Sequence, residues 1–301
     1  MHLFFHYMNR ACLTFGDDAL WRDRVPILAF ENPYVLHLLL AISALHITRL
    51  SRMPSDEVAR YEQLAEDHFA VALPQVTALL PEITSENCSA LYIATVLVCN
   101  YTFAKPPADG HLLVIADDNE VSWWTLFRGV RFVVEKFTLE AIFSNHLGPL
   151  ARENRTKIPP PPGQSGYIPW EAYLERLITL TSAHPNSVGG LMETLCQGLV
   201  DCFREVFGTS AEPEVITHGK THVVIRWLWI LDDEFTDEIK RRNPVAMLLL
   251  AYFTVILQTL DCYWFMKGWA VHVLSGIENR LDSAFSEWIT WPKQQLGLRL
   301  M

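Results

Sequence analysis

Apolar positions along this chain recur at helical spacing, and the punctuation between them is that of helix starts and stops. Asn32-Pro33 joins a capping residue to a first-turn proline. Tyr34, Val35, Leu36, Leu38, Leu39, Leu40, Ile42 and Leu45 then cover nearly every face of the helix that follows. A helix without a polar face must be buried all round, so this one is predicted to be central and to end before Pro54. Ser55 opens the next, with Asp56 and Glu57 where they complement the positive end of the helix dipole. Its core stripe is Tyr61, Leu64, Ala65, Phe69, Ala72 and Leu73. Thr84-Ser85-Glu86 starts a third helix, carrying Leu91, Tyr92, Ala94, Thr95 and Val98 and stopped by Pro106-Pro107. Ser122 caps a fourth, with Trp123, Trp124, Phe127, Val130 and Val134.

Further along, Pro159 to Pro162 followed by Gly163-Gln164-Ser165-Gly166 reads as a semi-rigid linker. Ser187 begins another helix. Asn243-Pro244 repeats the cap-plus-proline signal ahead of the most apolar helix of the second half. Its run Val245–Leu257 is interrupted by Gln258 and Asp261, short of the ~20 apolar residues that a membrane span needs. It is therefore expected to be a core helix, and no transmembrane segment is expected. The last helix is predicted from about Gly268 to just before Pro292, and a short strand near Val223–Ile225. The expectation is an all-α fold of about ten to twelve helices around a central apolar pocket. Residues 1–301 form one domain in this reading, with sub-halves 1–157 and 168–301 joined by the Pro-rich linker 158–167.

Composition agrees with a folded chain. Of 301 residues, 50% are hydrophobic, 12% aromatic and 19% charged, far from the charge-rich, aromatic-poor signature of disorder. A net charge of −10 repels phosphate backbones, so direct nucleic-acid binding is not expected. Lys240-Arg241-Arg242 reads as a solvated helix end. Cys12, Cys88, Cys99, Cys196, Cys202 and Cys262 form no C-x-x-C pair and sit mostly in apolar stretches, which fits reduced thiols and leaves no zinc cluster. The N-terminal MHLFFHYMNR does not read as a signal peptide.

Loud catalytic patterns are missing. Gly163-Gln164-Ser165-Gly166 lacks the spacing and the preceding strand of a nucleophile elbow. His2/His6 and His218/His222 are helical i,i+4 pairs that could share a metal, but neither carries the glutamate of a zinc protease. Asp232-Asp233 with Asp237, and Asn279, Ser283 and Glu287, have spacings like those of the magnesium motifs of class I terpene synthases. However, Arg280 stands where that motif usually has an acid, and the two motifs lie too close in sequence. Asp117-Asp118-Asn119-Glu120 falls in a loop. No cofactor and no metal are expected.

Aromatics gather in the second half: Trp227, Trp229, Phe235, Tyr252, Phe253, Tyr263, Trp264, Phe265, Trp269, Trp288 and Trp291. They suit either a packed core or a cavity for a rigid lipophile edged by a few polar groups.

Several segments stand in a fixed order along the chain. They are Leu20-Trp21, Val25-Pro26, Leu28-Ala29-Phe30, Asn32-Pro33, Leu36-His37 and Leu40-Ala41-Ile42-Ser43-Ala44-Leu45-His46. Tyr61, Leu64-Ala65 and His68 follow, then Ala72-Leu73-Pro74, Thr84, Asn87-Cys88 and Ala90-Leu91. Leu126-Phe127-Arg128-Gly129-Val130-Arg131, Gly148-Pro149-Leu150, Leu260-Asp261, Trp264, Gly268-Trp269-Ala270 and Trp288 with Trp291-Pro292 complete the set. Together these segments resemble the fungal-specific regulatory domain of sterol uptake control proteins. The resemblance implies an all-α domain with a deep hydrophobic pocket for a sterol or similar polycyclic lipophile. It also implies a homodimer, or a heterodimer with a full-length regulator, located in the nucleus and/or cytoplasm. In the family a binuclear zinc cluster precedes this domain; here the chain opens close to it, so a fragment or a stand-alone derivative is expected. The predicted pocket residues are His37, Leu38, Leu45, Val98, Tyr101, Tyr252, Ile256, Trp264 and Trp269. The alternative is a pathway enzyme, a cyclase or isomerase of secondary metabolism, with His37, His46, Tyr101, Arg128 and Asp261 as the polar positions to watch.

Overall fold

The computed structural model describes residues 1–50, 53–116, 122–144, 147–148, 167–183, 190–212 and 220–298. The linker prolines 159–162, Gly163–Gly166, Asp117–Glu120, Ser187, Pro149-Leu150 and His218 lie outside them. Among the described residues there are fourteen α-helices, several short 3-10 segments, one π-helical turn and no strand. The all-α expectation therefore holds. The chain forms two compact units. The first takes in the described residues of 1–106 and 123–156 together with 263–265, and the second those of 107–122, 157–262 and 266–301.

In the first unit, α3 (Pro33–Leu50) is the centre. Its first-turn proline loses no hydrogen bond there, and the Asn32 carbonyl accepts from the Val35 and Leu36 amides at 2.9 and 3.3 Å. Eleven residues from Tyr34 to Ile47 are buried, as a helix apolar on all faces requires. By length and hydropathy α3 could cross a membrane, but 61% of that window is buried inside the protein. Helix α4 (Ser55–Leu79) is amphipathic and lies along α3, burying Ala65, Ala72 and Val76 and leaving its charged face exposed. Helix α5 (Cys88–Ala104) packs directly on α3 and buries thirteen residues. Helices α1 (His2–Asn9), α2 (Val25–Glu31), α6 (Trp123–Lys136) and α7 (Leu139–Ile142) complete this unit.

The second unit is built on α12 (Pro244–Leu257). Asn243 Oδ1 accepts from the amides of Val245 and Ala246 at 2.9 and 3.4 Å, which satisfies two of the free donors at the helix start. Every residue from Val245 to Leu257 is buried. Around it pack α8 (Glu171–Ala183), α9 (Leu191–Phe207), α11 (Asp233–Lys240), α13 (Trp269–Glu278) and α14 (Thr290–Gln295).

Helix α10 (Thr221–Trp229) corrects the strand expected at Val223–Ile225. Its β-branched trio suggested a strand, but the buried set is Val223, Val224, Trp227 and Leu228. That i, i+1, i+4, i+5 spacing is a helical stripe. The last helix also differs from expectation. It breaks after Glu278, and Pro292 sits in the first turn of α14, where a proline is tolerated.

The segment 111–115 of the second unit is wholly buried without regular structure. Leu113 takes a left-handed φ of 67° there. Gly276 on α13 makes room for it, because a Cβ would collide with the Leu112 side chain.

Candidate functional site

Five histidines of the first unit gather where α1, α3 and α4 meet. His37 and His46 are nine residues apart on α3, about two and a half turns at 3.6 residues per turn, so they point to opposite sides. His46 reaches α1, with its Nδ1 2.8 Å from His6 Nε2. His37 reaches α4, with its Nδ1 2.9 Å from His68 Nδ1. Each pair shares a single proton between two ring nitrogens, so each needs at least one neutral imidazole.

Burial, then the neighbouring His6 and Arg10, lower the pKa of His46 to about 4. Its Nε2 is buried without a hydrogen-bond partner among the described residues, and the Trp264 ring stands edge-on at 5.0 Å. Burial likewise lowers His6, helped by His2 and Arg10, and lowers His68, helped by His37. These imidazoles are held neutral near pH 7.

Beside them lies a cleft of about 450 Å³ lined by Met1, His2, Leu3, Leu40, Arg60, Tyr61, Leu64 and His68. A second cleft, of about 540 Å³, lies in the second unit between α9 and α10. It is lined by Gly198, Asp201, Cys202, Arg204, Glu205, Arg226, Trp227 and Ile230. Its charges are matched internally: Arg226 pairs with Glu205 at 2.7 Å, His222 with Glu205 at 3.0 Å and Arg204 with Asp201 at 2.9 Å. Cys202 is buried, and burial first of all raises its pKa, which makes it a poor nucleophile.

The sequence-predicted pocket residues divide between the units. In the first, Leu38, Leu45, Val98 and Tyr101 are buried on α3 and α5, while His37 and Trp264 are half-buried. The Tyr101 hydroxyl donates to Glu66 Oε2 at 2.9 Å, Lys105 reaches the same oxygen at 3.2 Å, and the ring stacks on Phe69 at 3.9 Å. Burial opposes ionisation of Glu66, but the bonds from Tyr101 and Lys105 outweigh it and lower its pKa. Trp264 donates from Nε1 to Thr14 Oγ1 at 3.0 Å. In the second unit, Tyr252 and Ile256 are buried on α12, and Trp269 stands edge-on to His111 at 5.1 Å. Tyr252 belongs to an aromatic cluster in which Trp291 stacks on Tyr173 at 4.8 Å and meets Tyr252 at 5.4 Å and Phe203 at 5.9 Å. The Trp291 indole N–H is buried without an acceptor among the described residues.

The other polar positions serve the fold. Asp261 Oδ1 accepts from the Gly268 amide at 3.2 Å, and burial raises its pKa. Arg128 lies on the exposed face of α6. Asp232 caps α11 by accepting from the Phe235 amide at 2.9 Å, and Asp237 pairs with Lys240 at 3.2 Å. Asn279 ends α13, whereas Ser283 and Glu287 lie in a separate 3-10 segment, so the three do not share one continuous helix face. Among the described residues no group of three or more His, Cys, Asp or Glu could hold a metal ion.

His37 and His46 were legible in the sequence, whereas their pairing with His68 and His6 and the place of Arg60 and Leu40 in the cleft were not. The signal available was the nine-residue spacing of two histidines on an all-apolar helix, which demands a polar partner on each side.

Comparison with known proteins places this architecture. The family model of the fungal-specific transcription factor domain matches residues 2–159, that is 158 of the 301 residues. Sterol uptake control protein 2 of Saccharomyces cerevisiae is 30% identical over 115 residues, 36% of this chain and 12% of that protein. Its namesake in Candida albicans is 29% identical over 103 residues, 33% of this chain and 13% of that protein. A Zn(2)-C6 fungal-type transcription factor of Gibberella zeae is 21% identical over 97% of this chain and 60% of its own length. The chain thus spans about an eighth of the two sterol-named relatives. With more than half of its length matched by the family model, this chain belongs to the fungal-specific transcription factor domain family.

Proposed function

We propose that this domain is the effector-sensing module of a transcription regulator, and that its ligand is a sterol or a similarly rigid lipophile. The observation that carries the reading is the similarity to two relatives named for sterol uptake control, at 30% and 29% identity over about a third of the chain. The apolar composition and the aromatic richness of the helices agree with it. Of the sequence-predicted residues, those of the first unit, His37, Leu38, Leu45, Val98, Tyr101 and Trp264, are the ones proposed to receive the ligand.

The module would act in the nucleus through a partner. Self-association or pairing with a regulator that carries a DNA-binding half would couple ligand occupancy to transcription, since this chain's charge of −10 disfavours contact with DNA. Occupancy can shift such an equilibrium only by its differential affinity for the two states.

The test is a fusion of the full chain to an unrelated DNA-binding module driving a reporter. Sterol depletion should change reporter output at least severalfold, and sterol feeding should restore it. Constant output under both conditions would refute the proposal.

A further inference from the structure

We infer that the cleft between α1, α3 and α4 is a binding site for a medium-chain carboxylate, with its head group at Arg60 and Tyr61 and its acyl chain along Leu3, Leu40 and Leu64. Three observations converge on this. The first is charge. The chain carries 34 acidic and 24 basic residues, yet none of the eight cleft-lining residues is acidic. Arg60 has no ion-pair partner among the described residues, whereas Lys105, Arg131, Arg204, Arg226 and Arg241 each lie against a carboxylate. An unmatched guanidinium presents a planar fork of donors that fits one carboxylate bidentately.

The second is the character of the walls. Leu40 on α3 and Leu64 on α4 are only partly buried, and the buried Leu3 of α1 lines the same cleft. Leucines lining an open cleft leave apolar surface in water that a hydrocarbon chain would cover, at about 25 cal/mol per Å². Hydrophilic anions such as inorganic phosphate gain nothing from those walls. The third is size. The cleft volume of about 450 Å³ lies within the range for small-molecule sites. From Arg60 to His68 the rise along α4 is about 12 Å at 1.5 Å per residue, the reach of an extended medium-length acyl chain.

His68 closes the far end, and His37 holds its ring in place at 2.9 Å. Burial, then the neighbouring His37, lower the His68 pKa, so it adds little positive charge near pH 7, and Arg60 is a cation that the cleft offers to an anionic head group. Tyr61 and His2 stand beside Arg60, with the Tyr61 hydroxyl 3.5 Å from His2 Nδ1. Both can turn toward the second carboxylate oxygen. This site is separate from the sterol reading and does not rest on it.

The test is calorimetric titration of the full chain at pH 7.5 with sodium dodecanoate below its micelle concentration, with methyl dodecanoate as the uncharged comparison. Saturable binding of one dodecanoate is expected, with the ester at least tenfold weaker. Arg60→Gln removes the head-group partner, and Leu64→Glu places a like charge in the cleft. Both positions are exposed or half-exposed, so circular dichroism and the melting temperature should stay unchanged while each variant weakens dodecanoate at least tenfold. Absence of dodecanoate binding, or binding unaffected by both substitutions, overturns the inference.

Discussion

His6 Nε2 and His46 Nδ1 lie 2.8 Å apart and tie α1 to the central helix α3 through one shared proton. The remaining nitrogen of His46 is buried without a partner among the described residues. A second proton on this pair would face burial, His6 and Arg10, which is why the His46 pKa falls to about 4 from its ordinary 6.5. The unfolded chain therefore binds more protons than the folded one between pH 6.5 and about 4. Stability should rise with pH through that window and level off above it, with His46 alone accounting for about 3 kcal/mol. His6 and His68, shifted in the same direction, should add to the slope. Urea unfolding at pH 4.5, 5.5, 6.5 and 7.5 checks this. His46→Phe should flatten the slope, and a wild-type stability independent of pH in that range would contradict the assignment.

Trp264 stands edge-on to His46 at 5.0 Å and donates to Thr14. Trp264→Ala should cost about 3 kcal/mol, the low end of the range for buried aromatics, because the ring is only partly buried. It should also let water reach His46 and raise that group's pKa toward 6.5. Imidazole proton titration by NMR reads the second effect. An unmoved His46 titration would show that Trp264 does not shield it.

Tyr101→Phe removes one hydroxyl while keeping the stack on Phe69. The loss should be about 1 kcal/mol, with Glu66 titrating higher than in the wild type because it loses its best neutral donor. Chemical denaturation and a carboxylate titration measure the two effects together. No change in Glu66 would mean that Lys105 alone sets its pKa.

Asn243→Ala deletes the side chain that accepts from the Val245 and Ala246 amides at the start of the fully buried α12. A cost of about 1–2 kcal/mol is expected. Asn243→Ser should retain part of the stability, since its hydroxyl can accept a capping bond without setting a second carboxylate against Glu238, to which the Asn243 amide donates at 2.6 Å. Equal losses from both substitutions would rule out capping as the cause.

Much of this fold is written locally. The pairs Asn32-Pro33 and Asn243-Pro244 announce α3 and α12, and apolar residues on every face announce that both are core. Misreadings arose where two local signals compete. Val223, Val224 and Ile225 are strong strand formers, but Trp227 and Leu228 complete a helical stripe whose burial against the unit outweighs a difference in propensity below ~1 kcal/mol. Pro292 reads as a stop, yet it lies in a first turn because the chain has already broken after Glu278. The candidate site was less legible. His37 and His46 were visible as polar residues in an apolar helix, but their partners His68 and His6 come from other helices. Arg60 is conspicuous only once the cleft lining around it is seen to hold no acidic side chain. Such relations belong to tertiary structure and leave no periodic trace in the sequence.

The most direct test of the proposed sensing role is equilibrium binding of ergosterol to the purified full chain, read by tryptophan fluorescence and by thermal unfolding. One saturable site is expected, and at 100 times Kd the bound form should gain about 2.7 kcal/mol of stability. Trp264→Ala should weaken the affinity while leaving a cooperative unfolding transition. No saturable binding and no rise in melting temperature, with ergosterol and a panel of related sterols, would contradict the account.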